Sequence, residues 1–315
     1  MKKNIILLLL IFSLTIYLVG CSKSEKKPEN KGDKATVYTT VYPLQYFTER
    51  IGGEYVDVKS IYPAGADEHS FDPSQKDMIA LSDADLFFYI GLGLEGFVNK
   101  AEKTLSTEHV KMVAVADSIS DDLLQGDEEE HQDQEHDEHH HEKDPHVWIS
   151  PILSIELSSA IKETLINQMP EHKEDFEKNF DLLEDDLIEL DNRFKEMAHN
   201  APKKTFFVSH AAFGYIANEY GLHQVAIAGL NSQSEPSQKE LASIVKQAKD
   251  QNVRYILFEQ NISSKLTEVI RKEIGAESLT LHNLGVLTEE DIANEENYFS
   301  LMERNLKVFE KALSK

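Results

Sequence analysis

The chain has 315 residues, 56 of them acidic against 32 basic, for a formal net charge of −24 with neutral imidazoles. Such acidity excludes nucleic acid as a natural partner and favours a cation. The length allows two ordinary domains, and the single cysteine excludes an intrachain disulfide.

Lys2 and Lys3 precede an apolar run from Ile5 to Gly20, which is short for a membrane span and has the shape of a signal peptide over residues 1–20. The run ends Leu18-Val19-Gly20-Cys21, which resembles the bacterial lipobox and implies lipidation of Cys21 on the extracytoplasmic face of the cell membrane. Residues 21–35 carry no large apolar side chain and read as a flexible tether with a reach of ~20 Å.

From Thr36 the pattern alternates between strand and helix. Strands are predicted at 36–40, 56–62, 86–90 and 110–116, with helices at 44–51, 78–81 and 94–105 between them. Such alternation implies an open parallel sheet covered on both faces. Gly91-Leu92-Gly93-Leu94-Glu95-Gly96 matches the dinucleotide-binding spacing. It falls on the third strand of its lobe instead of the first, and a glycine-rich turn before a helix needs no nucleotide.

Residues 127–144 then hold ten carboxylates, one lysine and the histidines His131, His136, His139, His140 and His141. With no aliphatic or aromatic residue this tract has nothing to bury, and its donors make it an auxiliary, multivalent metal-attracting loop. Asp144-Pro145-His146-Val147-Trp148 closes it with a rigid turn and a histidine beside an apolar pair.

A helix follows to about Met169. A seam of Phe176, Phe180, Leu183, Leu187, Leu190, Phe194 and Met197 at alternating steps of four and three then predicts one long helix within 173–202. A coiled-coil dimer is one reading of that seam; a spine between two lobes is the one we adopt. Alternation resumes over 203–315, with strands at 205–209, 224–228, 255–258 and 279–281. The expected organisation is therefore an α/β protein with an N-terminal lobe over 36–172, a linking helix and a C-terminal lobe over 203–315.

Three histidines stand apart. His69 follows the second strand, His210 ends the first strand of the second lobe, and His146 ends the acidic tract. Ligands of open α/β sheets bind at the carboxyl ends of strands, so the three together predict one site in the cleft between the lobes.

At five stretches the chain resembles the metal-binding lipoproteins of zinc and manganese ABC transporters, a family of zinc-uptake and adhesin-like solute-binding proteins. They are residues 68–73 (EHSFDP), 84–95, 144–148 (DPHVW), 209–213 (SHAAF) and 287–291 (LTEED). The resemblance implies two open parallel-sheet lobes joined by one long helix, zinc as the transported ligand, and an ABC permease as partner. It carries the family's metal ligands onto His69, His146 and His210. Manganese carriers of this type place a carboxylate where His210 stands, whereas three imidazoles suit zinc. A manganese-carrying or adhesin lipoprotein is the alternative. An enzyme is not expected, because no H-E-x-x-H or similar catalytic pairing is present. Relatives often have an acidic residue where this chain has Gly285, so the fourth metal position falls to water first, with Glu68 and His282 as side-chain candidates.

Overall fold

Two runs of short strands rich in aromatic and β-branched residues set up the architecture. A computed structural model describes residues 34–124, 143–260 and 264–314, and Ala35–Lys315 form one compact unit. The predicted signal peptide, Cys21, most of the tether and the tract histidines lie outside the described residues. Among the described residues no helix is long and apolar enough to cross a membrane.

In the first lobe β1 (Ala35–Thr39), β2 (Val56–Ser60), β3 (Leu86–Tyr89) and β4 (Lys111–Ala114) form a parallel sheet in the order β2-β1-β3-β4. β3 reads Leu-Phe-Phe-Tyr and is buried at every position, as a central strand covered on both faces must be. The second lobe repeats the plan with β5 (Thr205–His210), β6 (His223–Ala228), β7 (Tyr255–Glu259) and β8 (Glu277–Leu281), all parallel in the order β6-β5-β7-β8. Each sheet thus changes winding direction between its first and third strands, which opens a crevice at their carboxyl ends.

The helices are α1 (Tyr42–Gly52), α2 (Gln75–Ser82), α3 (Val98–Leu105), α4 (Pro151–Gln168), α5 (Lys173–Asn200), α6 (Gly214–Glu219), α7 (Gln238–Asp250), α8 (Lys265–Ile274), α9 (Glu289–Ala293) and α10 (Tyr298–Ala312). α5 has 28 residues, ~40 Å at 1.5 Å per residue. Every residue of its predicted seam is buried within this chain, against α1, α4 and α10, so the seam needs no second copy. α10 belongs to both halves: Tyr298 packs its ring 4.9 Å from Phe47 of α1, while Phe309 meets Phe206 of β5 at 5.1 Å.

Several boundaries differ from expectation for local reasons. α2 starts at Gln75 because Ser74 and Asp77 form a capping box. α3 starts at Val98 instead of Leu94. Gly91 (φ +85°), Leu92 (φ +54°) and Gly93 (φ +84°) form a left-handed turn, and the amides at its start reach a side chain. That side chain is Glu95, fully buried, which accepts hydrogen bonds from the amides of Ile90 (2.8 Å) and Gly91 (3.0 Å) and from Thr40 Oγ1 (2.8 Å). The amides at the start of this glycine-rich turn are thus engaged by a carboxylate of the chain itself.

Candidate metal centre

His210 is the last residue of β5, and Glu259 is the last residue of its neighbour β7. The crevice of the second sheet therefore places an imidazole beside a carboxylate. His210 Nδ1 donates to both Glu259 oxygens at 2.9 Å, and Ser209 Oγ donates to Oε1 at 2.8 Å. This fixes the tautomer and leaves Nε2 facing the cleft with its lone pair.

His146 is held the same way. Asp144 Oδ1 accepts from the His146 amide at 2.9 Å and meets its Nδ1 at 2.7 Å. An oxygen already accepting from a backbone N–H accepts from the ring too, so Nδ1 carries the proton and Nε2 is the nitrogen turned toward His69. Tyr215 of α6 donates to the Asp144 carbonyl at 2.8 Å, which pins this segment to the second lobe. His69 lies on the loop after β2, where Asp67 Oδ1 accepts from its amide at 3.0 Å and the Phe71 ring is seated against Tyr62 and Phe97.

The structure brings His69, His146 and His210 together, with one ring nitrogen from each lying within 4.8 Å of the others. His69 Nε2 and His146 Nε2 are 3.2 Å apart. Two nitrogens on one tetrahedral zinc, each ~2.05 Å from it, would stand about 3.3 Å apart, so this pair is already spaced for a shared ion. His146 and His210 are fully buried, whereas His69 is partly exposed, so the approach to the cluster is from its side.

Burial, with the other two imidazoles adding, pushes His69 down to about 3. His146 is pushed well below the ordinary imidazole value by burial and then by His210. Burial also opposes a charge on His210, but the Glu259 carboxylate outweighs it and raises that group. Two donors are thus kept neutral, while the third takes up a proton more readily than an ordinary imidazole, and any such proton competes with an incoming cation.

The candidates for a fourth position separate clearly. His282 is buried and its ring is spent: Nε2 bonds Asp291 Oδ2 at 3.0 Å, and Nδ1 accepts from the Leu284 amide at 2.9 Å. It holds the loop's shape, and both ring nitrogens are engaged away from the three-histidine cluster. Glu68 is 1% exposed, and its carboxylate lies against Gly285, where an added Cβ would stand 2.7 Å from Glu68 Cδ. The missing side chain at 285 is what makes room for it. Burial and then Glu259 push Glu68 up to about 7.

Among the described residues only four buried side-chain polar atoms have no hydrogen-bond partner, and two of them are Glu68 Oε2 and His210 Nε2. Buried polar atoms without partners are costly, and His210 Nε2, one of the three clustered ring nitrogens, is such an atom. Asp144, Glu259 and Asn283 were not singled out from the sequence as site residues. Glu259 was the most accessible of the three, since the strand-end rule that selected His210 applies equally to β7.

A sequence profile of the family described as zinc-uptake complex component A periplasmic (ZnuA) matches residues 37–312. The high-affinity zinc uptake system protein ZnuA of Bacillus subtilis (strain 168) is 40% identical over 302 residues, covering 95% of this chain and 94% of that one. The zinc-binding lipoprotein AdcA of Streptococcus pneumoniae (strain R6) is 40% identical over 310 residues, but the chain spans only 60% of its length. The crystal structure of the Zn(II)-bound ZnuA-like domain of that species' AdcA superposes with a TM-score of 0.73 at 36% identity, covering 90% of this chain and 100% of that domain.

Proposed function

Because the chain belongs to the family of the zinc-uptake complex component A, we propose that it captures zinc outside the cytoplasmic membrane and delivers it to an ABC permease. The carrying observation is the convergence of three imidazole nitrogens whose opposite ring edges, on His146 and His210, are fixed by the buried carboxylates Asp144 and Glu259. His69, His146 and His210 hold the ion, and Glu68 Oε2 takes the fourth position. This donor set of three neutral nitrogens and one carboxylate suits zinc and leaves net negative charge around it. The close relatives are named for zinc uptake and zinc binding, which supports the same cargo.

In this reading residues 1–20 direct export, Cys21 carries the lipid, and 21–35 tether the lobes over 36–172 and 203–315 near the permease. The histidines of the acidic tract raise the local zinc concentration without forming the tight site. The test is growth of a strain lacking this protein under zinc limitation. Restoration by the wild-type chain and not by His210→Ala is expected; equal restoration by both would overturn the proposal.

A further inference from the structure

Asn283 sits where the supports of the cluster meet. Its Nδ2 donates to Glu68 Oε1 at 2.9 Å and to Glu259 Oε2 at 3.1 Å, one hydrogen to a carboxylate of each lobe. Its Oδ1 accepts from the Gly285 amide at 3.0 Å and from Gln260 Nε2 at 3.1 Å. A backbone N–H can only donate and a carboxylate can only accept, so the chemistry itself fixes which end of the amide faces which way. The Asn283 carbonyl accepts from Trp148 Nε1 at 2.7 Å, and the Trp148 ring stands 5.3 Å from that of His146. One residue with no exposed surface thus ties, through its side chain, the residue next to His69 and the partner of His210, and, through its backbone carbonyl, the neighbour of His146.

We propose that Asn283 is a positioning residue for the metal: its amide aims the Glu68 carboxylate into the cluster and clamps it to the His210–Glu259 pair across the lobe boundary. Glu68 lies in the space left open by Gly285, and without a donor on that side its carboxylate has no fixed orientation. The bond from Asn283 to Glu68 spans the two lobes, so separating the lobes draws this carboxylate away from the cation while His210 keeps its own support. Placement of the fourth ligand is thereby made conditional on closure.

The proposal rests on the metal-centre reading above, and the experiment separates the two. Zinc dissociation constants would be measured by chelator competition for the full chain and for Asn283→Ala, Glu68→Gln and the double variant, with the cobalt-substituted absorption spectrum as a second readout. Loss of a group supporting a metal ligand weakens affinity by roughly 10- to 100-fold, and that loss is expected for Asn283→Ala. Its cobalt bands should move toward those of Glu68→Gln. In the Glu68→Gln background the alanine substitution should cost at least about threefold less, since the two act as a coupled pair. Equal losses in both backgrounds, or an affinity within about threefold of wild type, would overturn the assignment. Should Asn283→Ala fail to fold, Asn283→Leu keeps a similar volume and removes the donors without adding charge, and the same outcomes apply. Unchanged affinity in both His69→Ala and His210→Ala would instead overturn the metal-centre reading itself.

Discussion

A single proton decides how the three imidazoles respond to acid. With unshifted groups, zinc affinity would fall only below the reference imidazole value of ~6.5 and would fall with three protons. Burial holds His69 and His146 far below that value, so neither competes for protons near neutrality. His210 is raised by Glu259, and Glu68 stands at about 7. Zinc binds the deprotonated forms, so affinity is lost as pH falls through these raised values. We therefore expect zinc affinity to decline already between about pH 8 and about pH 6, and Glu68→Gln to shed part of that decline. A competition titration that stays flat over this interval would contradict the prediction.

The long helix shows how elements were legible. Seven apolar residues at heptad-like spacing announced α5, and all seven are buried in the structure. Leu187, fully buried near its middle, should cost roughly 2–5 kcal/mol when truncated to alanine, measured as a shift in the denaturation midpoint at constant m-value. Alternating strands and helices gave both sheets for the same reason: periodicity is a local property of the chain. The histidines were legible because strand ends are where such folds place ligands. Asn283, Glu259 and the true part played by His282 were not. Their roles depend on contacts between segments far apart in sequence, as in the pair Asn283 and Glu68. Gly285 shows the limit well, since a residue without a side chain looks like a lost ligand until the group occupying its space is seen.

At the scale of the whole molecule, a fixed cluster coexists with a tract of acids and histidines at 127–144 that ends at the very turn carrying His146. If the two act separately, deletion of residues 128–142 should leave one tight zinc per chain while abolishing weaker binding, as read by calorimetry. Disappearance of the tight site on deletion would show that the tract supplies its ligands. The three-histidine cluster also has a reporter beside it. Trp148 is the sole tryptophan, has no exposed surface, donates its indole N–H to Asn283 and stacks obliquely near His146. All indole emission of this protein therefore originates from one chromophore within van der Waals reach of the site. The molecule thus carries its own optical gauge: a change in indole emission on adding zinc would let loading and unloading be timed without any attached dye.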